Sequence, residues 1–470
     1  MLTVYGAKQL NTVVRYFIGV LSALLASLAW ANNPLVHEFM LDNGMKVIVK
    51  QDHRAPVAVS QVWYKVGSSY EEAGSTGLSH VLEHMMFKGT ESLGPGEFSR
   101  IISELGGSEN AFTSRDYTAY FETLSVQHLE RALELEADRM RNLLLDPAEF
   151  AKEIEVVKEE RRLRTEDKPS GLTYEQLMAV AWRASPYQNP VIGWMNDLDN
   201  MQLADLQRWY ERWYAPNNAT LVVVGDVDPQ AVLEMARKHF GPIAPSDLGQ
   251  LKPMIEPEQR GLTRVTVEAP AKQPYMVMGY KTPVVGHAQE DWEPYALYVL
   301  SAVLDGGASA RLSRELVRRQ KVAASAGAQY DAYARLPNLF LFVGTPTDAH
   351  TTEDVEQALR VQIKRVQEEL VSPQELERVV TQAVASKVYE ADSLFYQAME
   401  IGVLETIGLD HRLIDDEIAR LRAVTPEQVR SVARKYLVDR NLTVATLVPQ
   451  EIEQTSSVDA KPAAGGRHGS

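Results

Sequence analysis

The strongest constraint on the fold of this chain is an internal repeat. Residues 206–229, LQRWYERWYAPNNATLVVVGDVDP, have a counterpart in residues 429–450, VRSVARKYLVDRNLTVATLVPQ. Each segment reads as a helix, a short polar turn, an Asn-x-Thr triplet and an apolar strand, and the two copies are about 223 residues apart. A chain of 470 residues is also too long for one compact core. The repeat therefore predicts two homologous halves of similar plan.

Strand and helix patterns alternate within the first half. EFMLDNGMKVIVKQD (residues 38–52) predicts two strands joined by a turn at Asn43-Gly44, and a third strand follows it. GLSHVLEHMMF has apolar residues at helical spacing, NAFTSRDYTAYFETL has strand character, and two long amphipathic helices come next. The predicted fold class is α+β, with two homologous halves, each an antiparallel sheet with helices packed on one face.

Changes in composition suggest the domain boundaries. Residues 240–261 are rich in Pro and Gly and show little periodicity, as a linker does. We expect an N-terminal domain over residues 34–245, a linker over 246–261 and a homologous C-terminal domain over 262–450. Residues 451–470 are expected to form a disordered tail.

The first 31 residues have the features of a secretory signal peptide. Lys8 and Arg15 precede the apolar run of residues 16–31, which ends in Ala-Trp-Ala. We expect cleavage and a periplasmic protein without stable membrane insertion; an uncleaved N-terminal membrane anchor is the alternative. The absence of cysteine suits an oxidising compartment. A net charge of −15 without a basic stripe argues against a nucleic-acid partner.

The stretch GLSHVLEHMMFKGT (residues 77–90) contains a candidate metal-binding helix. His80 and His84 are four residues apart and so share one helix face, where both imidazoles can bind one Zn²⁺ at about 2.0–2.1 Å. Glu83 borders that face and can act as the general base on a water molecule. The spacing H-x-x-E-H is the inverted form of a zinc-peptidase motif, and two histidines on a solvated helix face are the alternative reading.

A catalytic zinc site usually has three protein ligands and one open position. Because the chain has no cysteine, the third ligand must be His, Asp or Glu. The helix KEIEVVKEERRLR offers two pairs of glutamates. Glu153 and Glu160 are two turns apart and share a face that can point inward, whereas Glu155 and Glu159 share another face that is expected to be solvated.

These motifs resemble those of the pitrilysin family of zinc peptidases, in which a glutamate ligand follows H-x-x-E-H by about 76 residues. Counting from His84 leads to Glu160, within VVKEE. The resemblance implies that His80, His84 and Glu160 bind Zn²⁺, that Glu83 is the general base and later the proton donor, and that Glu153 orients the ligands.

The resemblance extends to a substrate-binding strand. The family's N-A-x-T strand, which pairs with the peptide backbone, matches NAFT in this chain. It implies that a peptide substrate extends the sheet along Asn110, Ala111, Phe112 and Thr113, and that backbone is read more than side chains.

One part of the family pattern is missing. Members that are active alone carry an Arg and a Tyr seven residues apart, which hold the substrate carbonyl. Alignment on GGASARLSREL places Val317 and Ala324 at these positions, and Arg318, Arg319 and Tyr330 are out of register. The departure favours a heterodimer in which a related subunit supplies the Arg/Tyr pair, with a homodimer as the alternative.

The predicted function is therefore that of a zinc-dependent endopeptidase that hydrolyses short or unfolded peptides, as the H-x-x-E-H subunit of a two-subunit enzyme. Two alternatives remain at this point: a non-catalytic subunit of the same fold, and a receptor that binds peptides without turnover. The intact set of His80, Glu83, His84 and Glu160 argues against the first, because a purely structural subunit has no use for the base.

Overall fold

The protein is described by a computed structural model that covers residues 35–451. The expected signal peptide (residues 1–31) and nearly all of the expected tail lie outside these residues. Within the described part, no helix has both the length and the apolar character needed to cross a membrane.

The first half is built on a six-stranded sheet with strand order β1-β2-β6-β3-β5-β4. Neighbouring strands are antiparallel except β2 and β6, which are parallel. Strand β6 returns to the sheet after a long helical excursion, and such a crossover permits parallel pairing. The strands are β1 (Val36–Met40), β2 (Lys46–Gln51), β3 (Val57–Tyr64), β4 (Ser108–Thr113), β5 (Thr118–Ser125) and β6 (Ala219–Gly225).

The second half is built on a five-stranded sheet with strand order β7-β11-β8-β10-β9. Again one pair, β7 and β11, is parallel and the others are antiparallel. The strands are β7 (Thr263–Pro270), β8 (Tyr275–Thr282), β9 (Ala323–Gln329), β10 (Asn338–Pro346) and β11 (Leu442–Gln450).

Helices cover both sheets. In the first half they are α1 (Leu78–Met85), α2 (Glu97–Glu104), α3 (Leu129–Arg141), α4 (Pro147–Arg161), α5 (Pro169–Ala181), α6 (Met195–Asn200), α7 (Leu203–Trp213) and α8 (Pro229–His239). In the second half they are α9 (Glu293–Asp305), α10 (Thr352–Glu368), α11 (Pro373–Glu390), α12 (Leu394–Thr406), α13 (Leu413–Arg422) and α14 (Pro426–Tyr436). Short π-helical segments follow α4 and precede β9.

One face of each sheet packs against helices of its own half, as the sequence predicts. In the first half, Val62 and Leu221 of the sheet share a core with Leu82 of α1 and Leu133 of α3. The repeat segments occupy equivalent places, because α7 leads into the interior strand β6 as α14 leads into the interior strand β11. The α+β plan of two homologous halves is therefore confirmed, and the domain boundaries at residues 245 and 262 stay a prediction.

The other face of each sheet packs against a helix from the opposite half. Helix α12 packs on the first sheet, where Ile401 joins Trp63 and Val222 in one buried cluster. Helix α5 packs on the second sheet, where Leu177 meets Val277 and neighbouring residues. This reciprocal exchange explains why β6 is buried along its whole length, since both faces of the strand are covered.

Candidate metal centre

The position of α1 is fixed by a buried carboxylate at its N-terminus. The backbone N–H groups of Gly77 and Ser79 donate to the two carboxylate oxygens of Glu71, each at 2.7 Å. These are helix N-terminal groups that have no partner within the helix. Gly77 has φ +91°, and a Cβ there would lie 2.8 Å from the carbonyl oxygen of Ile192, so only glycine fits. The helix that carries the HVLEH stretch is therefore held firmly against the chain around Ile192.

Three potential metal ligands converge on one point. The ligand atoms of His80, His84 and Glu160 all lie within 4.8 Å of one another. Glu160 Oε2 is 3.4 Å from His84 Nε2 and 3.8 Å from His80 Nε2. Two ligands of a tetrahedral Zn²⁺ with bonds of 2.0–2.1 Å are about 3.4 Å apart. The observed spacings therefore fit a single zinc ion held by α1 and α4.

The chemistry of these three groups also fits zinc. Burial, with smaller effects of His84 and Arg164, lowers the pKa of His80 to about 3. The ring is therefore neutral near pH 7, as a metal-binding imidazole must be. Two nitrogens and one oxygen from the protein leave a fourth tetrahedral position for water or substrate, which is the arrangement of catalytic zinc sites.

Further charged groups contact the candidate ligands from behind. Glu153 Oε2 lies 3.2 Å from His84 Nδ1, and Glu153 Oε1 lies 2.7 Å from Lys88 Nζ. Glu160 Oε1 forms a salt bridge with Arg164 Nη1 at 2.6 Å. Glu160 is therefore left with one oxygen for a metal, and His84 has its Nδ1–H fixed so that Nε2 faces the site.

Glu83 lies beside this cluster and contacts the edge strand. Its Oε2 accepts a short hydrogen bond from the Thr113 hydroxyl. Burial raises the pKa of Glu83, although the Thr113 hydrogen bond and His84 oppose the shift. Because a carboxylate with a raised pKa is a stronger base, this environment suits a group that accepts a proton near neutral pH.

The candidate substrate strand forms the wall of the same cavity. Asn110, Ala111, Phe112 and Thr113 belong to β4, which lies at the open edge of the first sheet. They line a cavity of about 740 Å³ together with His80, Glu83, His84 and Glu160. The Ala111 N–H donates to the side chain of Asn110 rather than to a neighbouring strand. Its backbone therefore faces the free edge, where a peptide could pair with it.

Arginine and tyrosine residues near the missing motif do not line this cavity. The Tyr330 ring is buried, and its hydroxyl donates to the carbonyl of Pro283 at 2.6 Å. Arg319 pairs with Glu315 at 2.5 Å and is largely exposed. Neither side chain is placed to contact a substrate bound at His80.

Among the residues that contact α1 and the candidate ligands, sequence analysis did not identify Glu71, Lys88 and Arg164. Arg164 is four residues after Glu160, so helical spacing alone could have suggested this pair. Glu71 and Lys88 reach their partners through loops and long side chains, and no local pattern indicates them.

A second group of potential ligands is already neutralised by the protein. Glu405, Asp410 and His411 lie close enough to share an ion. However, Glu405 pairs with Lys46 at 2.7 Å and with His411 Nδ1 at 2.8 Å. The Lys46 ammonium therefore balances the Glu405 carboxylate across the two halves, and His411 is already hydrogen-bonded to the same carboxylate, so nothing there requires a metal.

Comparison with known proteins agrees with this geometry. Residues 46–194 match the model of insulinase (peptidase family M16), and residues 200–383 match that of the peptidase M16 inactive domain. The chain is 33% identical over 375 residues to the zinc protease PqqE of Helicobacter pylori, covering 78% of this chain and 83% of that protein. All of the candidate ligands lie within the insulinase match.

Solved structures show the same architecture. A crystal structure of a protease from Helicobacter pylori superposes with a TM-score of 0.84 at 30% identity and covers 88% of this chain and 100% of that one. The first half of the periplasmic protease PqqL from Escherichia coli has the same fold, with a TM-score of 0.72 at 19% identity, covering 88% of this chain and 92% of that one. With its repeated halves, its H-x-x-E-H helix and these relatives, the chain belongs to peptidase family M16, the pitrilysin family of zinc metallopeptidases.

Proposed function

We propose that this chain is a zinc-dependent endopeptidase that hydrolyses short or unfolded peptides. The observation that carries the proposal is the convergence of His80, His84 and Glu160 beside Glu83, in a cavity whose wall is an open strand edge. A metal-binding group and a base placed next to a peptide-binding edge are the parts that peptide hydrolysis needs.

His80, His84 and Glu160 would hold the zinc ion, and Glu153 would fix the orientation of His84. When bound, Zn²⁺ supplies a Lewis acid that polarises the scissile carbonyl and acidifies a water molecule. Arg164 would keep the second oxygen of Glu160 away from the site, because its guanidinium already forms a salt bridge with that oxygen at 2.6 Å.

Glu83 would move the proton. Its Oε2 accepts the hydrogen bond from Thr113, which leaves Oε1 to take a proton from the attacking water. The same carboxyl then donates that proton to the amine of the leaving peptide. Thr113 orients the base and also belongs to β4, so it links the proton-transfer group to the bound peptide.

Strand β4 would hold the substrate by its backbone. A peptide that adds to this edge is positioned by main-chain hydrogen bonds, so residues 110–113 select extended, unfolded segments. Folded proteins have few such free segments. This placement supports short or unfolded peptides as the substrate class.

A related subunit would complete the site. Val317 and Ala324 stand at the positions of the family's Arg and Tyr. The hydroxyl of the nearby Tyr330 already donates a hydrogen bond to the carbonyl of Pro283. We propose that a second chain of the same family supplies this pair in a heterodimer; a homodimer is the alternative. We also propose that residues 1–31 direct the protein to the periplasm; PqqL of Escherichia coli, which shares the fold, is a periplasmic protease.

The test compares peptidase activity of the zinc-loaded chain, alone and mixed with a related M16 chain that carries the Arg/Tyr pair. Glu83→Gln should lower kcat by at least about 100-fold while the zinc content stays at one per chain. Glu159→Gln is the matched control, because Glu159 lies on the exposed face of the same helix region as Glu160 and its replacement should leave kcat unchanged.

Three outcomes would contradict parts of the proposal. Undiminished activity of Glu83→Gln would exclude Glu83 as the base. Full activity of the lone chain would exclude the required partner. Peptide binding without turnover under every condition would favour a non-catalytic, peptide-binding subunit.

A further inference from the structure

Arg115 stands out among the residues that line the metal cavity. It lies in the turn that follows β4, two residues after Thr113, and it lines the same cavity as His80 and Glu83. Its side chain is partly buried. A guanidinium in this position always carries a positive charge, so the cavity has a fixed cation close to the candidate substrate strand.

The guanidinium of Arg115 has no carboxylate partner. Among residues 35–451, no carboxylate oxygen lies within 4.0 Å of it. The fully buried arginines of this half pair with carboxylates: Arg161 bonds both oxygens of Glu175 at 2.8 and 3.0 Å, and Arg139 bonds Glu136 at 2.8 Å. The partly buried Arg141 and Arg212 donate to backbone carbonyls, whereas Arg115 donates to a single side-chain hydroxyl. Because a partly buried guanidinium is stabilised by acceptors for its N–H groups, the unused donors of Arg115 in the cavity favour a partner that comes from outside the chain.

The adjacent acid cannot serve as that partner. Asp116 accepts hydrogen bonds from the Ser69 hydroxyl at 2.7 Å, from the backbone N–H of Arg335 at 3.0 Å and from the Tyr187 hydroxyl. It therefore belongs to a network between the two halves. Arg115 instead lies 5.3 Å from the centre of the Tyr187 ring, a contact that positions the guanidinium but does not neutralise it.

Tyr174 of α5 completes a binding geometry. Arg115 Nη2 donates to the Tyr174 hydroxyl oxygen at 2.9 Å, and both residues line the cavity. The hydroxyl proton of Tyr174 has no acceptor among the described residues and is free to donate. The remaining N–H groups of the guanidinium and this O–H together offer several donors to one planar anion, as carboxylate recognition requires.

The position of Arg115 next to β4 relates this pair to the reaction. Thr113 contacts Glu83, and Arg115 lies two residues further, in the turn between β4 and β5, where it lines the same cavity as Glu83. A peptide that pairs with β4 and places its scissile carbonyl near Glu83 would therefore bring a group close to the scissile bond to Arg115.

We propose that Arg115 and Tyr174 form a carboxylate subsite, which binds either the C-terminal carboxylate of a peptide or an Asp or Glu side chain close to the scissile bond. This inference rests on the proposed peptidase function, since it uses the same cavity. It gives the enzyme a preference for acidic or short C-terminal fragments among the peptides that β4 can accept.

The test measures binding separately from cleavage. The zinc-loaded full chain carrying Glu83→Gln is titrated calorimetrically with two pairs of peptides. One pair differs only in a free or amidated C-terminus, and the other in Glu or Gln at one internal position. The free acid or the Glu peptide should bind at least about tenfold more tightly than its amide partner, because charge-assisted hydrogen bonds are lost in the amide. The pair that shows the difference identifies the source of the carboxylate.

Variants then assign the effect to the subsite. Arg115→Gln should abolish the acid-to-amide difference, and Tyr174→Phe should reduce it. Arg162→Gln removes the same charge from an exposed arginine that pairs with Glu159 and should leave the difference intact. If Arg115→Gln does not fold, Tyr174→Phe and the unaltered chain still decide the question.

The outcomes separate this inference from the proposed function. Peptide cleavage without any acid-to-amide difference would overturn the subsite and leave the peptidase intact. An Arg115-dependent difference in binding without cleavage would support the subsite and contradict the peptidase. An equal loss for acid and amide peptides in Arg115→Gln would also overturn the subsite, because Arg115 would then contact the peptide backbone.

Discussion

Replacing Glu153 with glutamine tests how the zinc ligands are oriented. Glu153 is only 11% exposed and bridges His84 Nδ1 at 3.2 Å and Lys88 Nζ at 2.7 Å. The glutamine amide keeps one acceptor oxygen, so it can accept from His84 or from Lys88 but not from both. Its NH₂ group then faces the other of these two donors. Loss of such a supporting carboxylate typically weakens metal binding 10–100-fold, which is about 1.4–2.7 kcal/mol.

The assay is the zinc dissociation constant, measured by competition with a chromogenic chelator at fixed pH. Glu155→Gln is the matched control, because Glu155 lies on the same helix, is 63% exposed and pairs with Lys158 on the surface. We expect zinc affinity to fall at least tenfold in Glu153→Gln and less than twofold in Glu155→Gln. Zinc affinity that is unchanged in both variants would refute the orienting role of Glu153. An equal loss of zinc affinity in both variants would indicate a general effect of removing a negative charge instead.

Three further predictions concern the two halves, the helix N-terminus and the metal. Gly402→Ala places a Cβ 2.0 Å from Cε2 of the buried Trp63. This overpacking should lower the free energy of unfolding by about 1–3 kcal/mol and therefore lower the urea midpoint. Trp63→Phe added to the Gly402→Ala chain should reduce this loss. Burial raises the pKa of Glu71 from 4.5 to about 7, so the folded state keeps a proton that the unfolded chain releases between these values. Stability from this group is therefore full below about pH 4.5 and lost as the pH rises to 7, and Glu71→Gln should flatten that part of the melting-temperature profile. Chelation of zinc should lower the melting temperature, and this shift should be absent in Glu160→Gln.

The parts of the site that sequence reasoning could identify are those set by local geometry. The four-residue spacing of His80 and His84 places both on one helix face, and the seven-residue spacing of Glu153 and Glu160 does the same. The structure brings these four residues together, whereas Glu155 remains on the solvated face. Helical periodicity carries this information because it depends only on the chain near each residue.

The parts that sequence reasoning missed depend on distant contacts. Glu71 bonds the start of α1 from a preceding loop, and Arg115 lines the cavity only because β4 lies beside α1. The packing of α5 and α12 on the sheet of the opposite half was not predicted, because the apolar pattern of a helix does not indicate which of two sheets the helix covers. Parallel pairing of β2 with β6 was missed for the same reason, because it is set by a connection of more than 160 residues.

The exchange of helices also sets an order of events during synthesis. All six strands of the first sheet have been made once β6 ends at Gly225, but α12, which covers its second face, begins about 170 residues later at Leu394. At 5–20 residues per second, α12 is made about 10–30 s after β6. The half that carries the metal site therefore depends on a helix made later to cover the second face of its sheet. An expressed fragment that ends before Leu394 should aggregate, even though it contains every candidate zinc ligand.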